Sequence, residues 1–299
     1  MPRSEQLIVV HQIRLRLKMM NPLEDAPQGW RPGHFYSPVP SLTQFRQMEH
    51  RLYQSPRSLL AIDLNEAVQL SIINMLAKYY AEQPFREHKN DKCRFYFENP
   101  NFSYGDAIVY YGMLRHLHPR RVIEVGSGYS TALLLDTLDI SGARTDCTCI
   151  EPFPELMLSL VRPGDKERLR IVAAELQKVD LALFDTLQSG DILFIDSTHV
   201  SKVGSDVNII IFEILPRLAS GVYVHFHDVF YPFEYPRDWV LQGRCWNEIY
   251  LLRAFLEYNI SFRVQVFNSF LGQHHREALA SALPLVAKSP GSSLWLRKN

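Results

Sequence analysis

Four short stretches of this chain bring together residues able to do chemistry. In Val122-Ile123-Glu124-Val125-Gly126-Ser127-Gly128 an apolar, β-rich run ends in a Gly-x-Gly turn, and Tyr129-Ser130-Thr131 opens a helix. Glycine at 126 and 128 lets the backbone bend tightly and approach a ligand with no Cβ in the way. The unpaired amides of the helix start face the same place. Ligand binding through Glu124, Gly126, Ser127 and Gly128 is therefore the expectation, over a bend that serves only to turn the chain. In Cys149-Ile150-Glu151-Pro152 an acid ends the next strand. A carboxylate there accepts hydrogen bonds from ribose hydroxyls, so Glu151 points to an adenosine-type ligand. The other two stretches are Phe194-Ile195-Asp196-Ser197-Thr198-His199 and Val224-His225-Phe226-His227-Asp228.

Three uses are open to the polar groups of these last two stretches. Asp196, His227 and Asp228 offer carboxylate oxygen and imidazole nitrogen, a donor set for a divalent metal that leaves positions for substrate hydroxyls. A histidine, His199 or His227, can instead take the proton from an acceptor hydroxyl, because imidazole titrates near neutral pH. In the third use the histidines fix Asp196 and Asp228 by hydrogen bonds. Strand alternation sets His225 and His227 on one face and Phe226 on the other.

The elements that must position these groups are legible from residue 120 onward, where short apolar runs alternate with helix-length amphipathic segments, the pattern of parallel βαβ units. Strands are predicted over 121–125, 145–151, 169–172, 191–196, 222–226, 260–267 and 294–297, with helices over 130–138, 154–160, 181–187, 206–215 and 244–258. The fold class is α/β: a doubly wound, mostly parallel, seven-stranded Rossmann-like sheet, with all four stretches at its carboxyl edge. Upstream, apolar spacing predicts helices over 65–83 and 104–117, with Asp106 in the first turn of the second, at the positive end of its dipole. Residues 1 to about 62 are rich in proline, including Pro22, Pro27, Pro38 and Pro40, and read as an extended arm. Its aromatics predict packing rather than solvation. The chain thus divides into an N-terminal arm and helix, 1–103, that caps the site, and a catalytic domain, 104–299.

Two details choose a cofactor. A nicotinamide dinucleotide turn takes Gly or Ala where this chain has Thr131. The Glu124 carboxylate also suits an ammonium and a sulfonium better than a pyrophosphate. An acid, one residue and Gly-x-Gly at a strand end resembles the first motif of class I S-adenosylmethionine-dependent methyltransferases. From about Trp30 to Lys298 the chain is similar to the bacterial methyltransferase group Methyltransf_24. The resemblance lies in His34-Phe35-Tyr36-Ser37-Pro38, Asn101-Phe102-Ser103-Tyr104-Gly105-Asp106-Ala107, Glu124 to Ser130, Phe194 to Val200, His225-Phe226-His227-Asp228 and Trp246-Asn247-Glu248. It implies S-adenosylmethionine as cofactor, methyl transfer to a hydroxyl of a small molecule or sugar, and adenine contacts at Ala174 and Glu175. Some relatives hold magnesium at the ends of the fourth and fifth strands, mostly with Asp and Asn at the second point. His227 and Asp228 stand there in this chain, which leaves a softer metal, or none, in play. Rival functions on the same sheet are an NAD-dependent reductase and a non-catalytic adenosine-ligand binder. The aromatics Phe230, Tyr231, Phe233, Tyr235, Trp239 and Trp246 after the fifth strand are the expected walls of a small-molecule acceptor pocket, and His274-His275 is expected to be a solvated pair.

Bulk properties exclude several classes. Lys plus Arg and Asp plus Glu both number 32, so no broad positive field exists for nucleic acid. No run approaches the ~20 apolar residues that span a bilayer, and Leu7-Ile8-Val9-Val10 is broken by His11 and Arg14 below signal-peptide length. The expectation is a cytoplasmic protein with no membrane partner. Cys93, Cys147, Cys149 and Cys245 form no CxxC pair, as expected of free thiols. Assembly as a homo-oligomer is compatible with all of this.

Overall fold

The computed structural model describes residues 29–299; the first 28 residues, with Pro22, Pro27 and the apolar run at 7–10, lie outside the described residues. Seven strands form one sheet in the order β3-β2-β1-β4-β5-β7-β6. They are β1 (Arg121–Val125), β2 (Asp146–Ile150), β3 (Leu169–Val172), β4 (Ile192–Ile195), β5 (Tyr223–Phe226), β6 (Phe262–Phe267) and β7 (Leu294–Lys298). The first five run parallel, and β7 enters antiparallel between β5 and β6. All four residues of β4 are buried, as in a strand covered on both faces, which explains why it reads as a continuous apolar run.

Register fixes the functional edge. Val125 pairs with both Ile150 and Ile195, and Ile195 pairs with Phe226. The residues just past those partners, Gly126, Glu151, Asp196 and His227, therefore start side by side. Backbone hydrogen bonds extend the alignment: the Gly126 amide donates to the Ile150 carbonyl at 2.9 Å, Asp196 to Val125 at 2.8 Å, and His227 to Ile195 at 2.9 Å.

The helices follow the alternation with some differences. Helix α1 (Leu42–Leu52) stands where an extended arm was expected. Leu42, Phe45, Met48 and Leu52 give it helical spacing once the prolines end at Pro40. Next come α2 (Glu66–Tyr80), α3 (Tyr104–Leu117), α4 (Tyr129–Ser141) and α5 (Glu155–Leu160). The segment expected as a helix over 181–187 is the 3₁₀ helix Leu181–Thr186. The one expected over 206–215 is α6, in which Asp206–Ile209 and Leu215–Arg217 flank a π-helical turn, Ile210–Ile214. The helix predicted over 244–258 begins later, as α8 (Glu248–Leu256), preceded by the short α7 (Arg237–Leu241). Gly243, at φ +82, separates the two. Between β6 and β7 the chain forms α9 (Asn268–His274) and α10 (Arg276–Ala282), which the sequence reading missed. His274 and His275 are not a solvated pair: both are half-buried, and His275 Nε2 lies 2.7 Å from Glu66 Oε1.

The described residues divide into two units, 29–49 and 50–299. Within the first, the Trp30 and His34 rings stack at 4.5 Å. Within the second, Ile73, Phe95 and Phe97 belong to the same core as β1 and β4, so 50–103 is built into the sheet unit rather than standing with the arm. A buried ion cluster ties this segment down. Arg94 Nε and Nη2 donate to the two Asp165 oxygens at 2.6 and 2.5 Å, and Nη1 reaches Asp136 and Asp139, each at 2.7 Å. Asp136 also accepts from the Arg94 and Phe95 amides at 2.8 and 2.9 Å.

Candidate active site

The glycine turn is built from behind. Gly126 has φ +85, and a Cβ placed on it would overlap the Asp196 carbonyl of the neighbouring strand end. At Gly128 an added Cβ meets only Leu156 Cδ2, at 3.4 Å. Thr131 explains its departure from the dinucleotide pattern: its hydroxyl accepts from the Gly128 amide at 3.2 Å and donates to Glu124 Oε2 at 2.5 Å. Glu124 is wholly buried, with the Tyr110 hydroxyl 3.4 Å from its other oxygen. Burial pushes its carboxyl up to about 7, against hydrogen bonds from Thr131, Ser130 and Tyr110 that favour the anion. Glu124 thus braces the turn from inside the core and does not line the cavity in front of it. Alanine at 126 should cost more than about 1 kcal/mol, since a left-handed backbone and a steric overlap combine there, whereas alanine at 128 should denature close to wild type. Equal thermal losses for the two variants would contradict this geometry.

That cavity, of about 370 Å³, is bounded by Gly126, Glu151, Glu175, Asp196, Ser197 and Asp206, among others. Glu151 accepts from the Phe153 amide at 2.8 Å and the Ser127 amide at 3.3 Å. Burial raises its pKa, and those two amides oppose the rise. The buried hydroxyls of Ser127 and Ser197 have no partner among the described residues. Glu175 is on the cavity wall as expected of the segment after β3; Ala174 is not. A larger hollow of about 440 Å³ lies at the opposite, amino edge of the strands, by Arg121, Asp146 and Arg170, away from these groups.

Beside the cavity the second constellation converges. His199 Nε2 lies 3.2 Å from Asp196 Oδ1 and 3.9 Å from Asp228 Oδ2, while its Nδ1 is 2.8 Å from Glu248 Oε2. The amides of Asn247 and Glu248 both donate to the His199 carbonyl, at 3.0 and 3.1 Å, so the start of α8 clamps this residue by backbone and side chain. His199 and Asp228 take left-handed backbone, φ +59 and +56, which turns their side chains out of strand alternation. Burial works against charge on His199, but Asp196 and Glu248 outweigh it and hold the imidazole well above its ordinary pKa. Asp196 is held low in turn, burial being outweighed by His227 and His199.

The ligand atoms of Asp196, His199 and Asp228 all lie within 4.8 Å of one another. This trio differs from the expected metal set in holding His199 where His227 was named. His227 Nε2 is instead 3.3 Å from the Asn101 carbonyl and 3.5 Å from Asp228, and its Nδ1 has no partner among the described residues. His225 is structural: stacked on Phe194 at 4.0 Å and bonded to Ser293 Oγ at 2.7 Å, it is pushed by burial well below its ordinary pKa.

Several supporting residues escaped the sequence reading. Asp106 is a buried acceptor, bonded by the Ser292 amide at 2.8 Å and the Ser293 hydroxyl at 2.6 Å, rather than only a first-turn acid on α3. The Ser292 hydroxyl donates to Asp228 at 3.0 Å. The sequence places Glu248 on a helix able to reach the pocket, but its link to His199 had no local signal. Of the aromatics, Tyr231, Phe233 and Tyr235 are core residues, whereas Phe230, Trp239 and Trp246 are half-buried, with Trp246 4.4 Å from the His199 ring.

The chain is similar to several known proteins. The family model described as "Methyltransferase domain" (Methyltransf_24) matches residues 123–229. An uncharacterized protein of Archaeoglobus fulgidus is 32% identical over 167 residues, covering 52% of this chain and 73% of its own. Among solved structures, the O-methyltransferase TomG of Streptomyces achromogenes, in complex with SAM, is 14% identical, covering 86% of this chain and 96% of its own at a TM-score of 0.43. The SAH-bound methyltransferase PaMTH1 of Podospora anserina is 15% identical, covering 64% and 77% at a TM-score of 0.41.

Proposed function

We propose, from the premise that this chain belongs to the methyltransferase family Methyltransf_24 and is an S-adenosylmethionine-dependent methyltransferase, that it methylates a hydroxyl oxygen of a small molecule or sugar. One observation carries the proposal: Asp196 lines the cavity and also contacts His199 Nε2 at 3.2 Å, so a proton acceptor borders the place where the cofactor would sit. The residues there fit that cofactor. Glu151 would take the ribose hydroxyls, and the unpartnered hydroxyl of Ser197, a residue of the cavity wall, offers a further hydrogen bond. When bound, S-adenosylmethionine supplies an electrophilic methyl group on an already activated sulfonium.

What remains for the protein is positioning and deprotonation. Glu248 holds Nδ1 of His199, so Nε2 is the nitrogen offered to the acceptor hydroxyl, beside Asp196 and Asp228. Asp228, held by the Ser292 hydroxyl and 3.5 Å from His227, is the neighbouring carboxylate. Because His199 is held protonated above its ordinary pKa, the neutral, proton-accepting form grows as pH rises through that raised value. Turnover should therefore still be rising with pH above the ordinary histidine value of about 6.5, and a profile that has already levelled off at or below that value would exclude His199 as the base.

Calorimetry with S-adenosylhomocysteine tests the assignment as a whole. Wild type should bind it in preference to NAD, and Glu151→Ala should bind at least about tenfold more weakly with an unchanged fold, as loss of charged hydrogen bonds predicts. Tight binding of NAD alone would transfer the site to hydride chemistry.

A second use is favoured by the Asp196, His199 and Asp228 trio, which could hold a divalent cation that lowers the pKa of the acceptor hydroxyl. Glu248 on the far nitrogen of His199 is the outer carboxylate such a ligand commonly has. Loss of activity on chelation, restored by magnesium or manganese, would establish it, and activity indifferent to chelator would dismiss it.

A further inference from the structure

Arg244 stands on two indoles, one of which packs against His199. Its guanidinium carbon stands 4.3 Å from the centroid of the Trp239 ring and 5.2 Å from that of Trp246. The two indoles meet edge to face at 5.3 Å, and Trp246 in turn lies 4.4 Å from His199. The backbone is held as well: the Arg244 amide donates to the Trp239 carbonyl at 3.0 Å across the Gly243 turn. Arg244 has no carboxylate at ion-pair distance among the described residues. The nearby acids are engaged elsewhere, Glu234 by the Tyr250 hydroxyl at 2.9 Å and Asp238 beside Arg237 at 3.8 Å.

Stacking on aromatic faces holds a guanidinium in place while leaving its planar edge of N–H donors available, which is how arginine presents itself to a carboxylate or phosphate. A cation fixed on indoles, exposed, without a counter-charge and one ring away from His199 has the form of a recognition group. We propose that Arg244, displayed on Trp239 and Trp246, binds an oxyanion of the acceptor, and that the acceptor is an acid carrying a carboxylate or phosphate as well as the hydroxyl to be methylated. This rests on the methyltransferase assignment for the hydroxyl, but the anion contact is separable from it. The aromatic walls would cover the apolar part of such a molecule.

Matched probes decide the point. Full-length wild type, with and without S-adenosylhomocysteine, is titrated calorimetrically with 3-hydroxybenzoate and 3-hydroxybenzamide, and with glucuronate and methyl glucoside. The acid of at least one pair should bind about tenfold or more tightly than its neutral partner, the loss expected for a charge-assisted contact. Arg244→Gln should bring that pair to parity, and Arg244→Lys should keep only part of the preference, because an ammonium cannot reproduce the planar fork. S-adenosylhomocysteine affinity should be unchanged in both variants. Parity of acid and neutral probe in both wild-type pairs, or an undiminished preference in Arg244→Gln, overturns the proposal. Failure of S-adenosylhomocysteine to bind wild type would instead overturn the methyltransferase site, and the probe pairs measured without it would still decide for or against Arg244.

Discussion

Replacing His199 with alanine should reduce turnover by about 10²- to 10⁴-fold, the range a positioned general base contributes, while leaving S-adenosylhomocysteine affinity near wild type. The side chain touches Asp196 on the cavity wall at 3.2 Å and the buried Glu248 at 2.8 Å, so its removal has two consequences. The acceptor hydroxyl loses its proton acceptor, and Glu248, which is 1% exposed and has a second oxygen with no partner among the described residues, is left an unpaired buried acid. The second effect can weaken the fold by itself. His199→Gln separates the two: its amide can still donate toward Glu248 but cannot accept a proton at neutral pH. A glutamine variant that folds, binds S-adenosylhomocysteine and is inactive fits the assignment, and one that retains full turnover rules it out.

The largest stability effect is expected at Arg94. Its side chain is 3% exposed, and the carboxylates of Asp136 and Asp165 that it joins are each 4% exposed. Arg94→Met would leave both buried acids without their cation, which costs about 3–5 kcal/mol, a fall in Tm of roughly 10 °C for a chain of this size. Thermal denaturation against Lys178→Met, at an ion pair with Glu175 that is exposed on both sides, gives the comparison: surface pairs contribute about 0–1 kcal/mol, and a similar change in both variants would refute the buried cluster's role. Acid should act in the same direction. Burial alone would raise the pKa of Asp165, but Arg94 outweighs it and holds the carboxyl below the usual range, whereas at Asp136 burial prevails and raises the pKa, so the acid dependence rests on Asp165. A depressed pKa stabilises the folded state above the ordinary value of about 4 and loses that contribution as pH falls through the folded value.

Much of the architecture is legible in the residues, and what was not has a physical reason. The strands and the glycine turn could be read because burial on both faces imposes apolar runs and a crossed backbone imposes glycine at 126. Asp196 and Glu151 could be read because each is the first polar residue after such a run. Alternation along β5 correctly separated Phe226 from His225, but it is silent past the strand end, where the left-handed backbone of Asp228 and of His199 sends side chains in directions no period describes. For that reason the sequence reading put His227 in the metal set where the fold brings His199. The partners of Arg94, Asp106 and Glu248 come from far along the chain, and nothing in the local pattern of a charged residue names a distant mate. Helices α9 and α10 were missed because their short runs, Asn268–His274 and Arg276–Ala282, fall short of the roughly 11 or more residues over which helical spacing can be recognised.

The position of β7 bears on how the enzyme comes into being. Ser292 and Ser293, just ahead of β7, hold Asp228 and Asp106, and β7 itself must slot between β5 and β6. A ribosome-bound chain that has emerged only as far as β5 would already own the glycine cradle, yet Asp228 would lack its hydrogen-bond anchor. The carboxyl edge of the sheet is thus complete only once the last strand is in place.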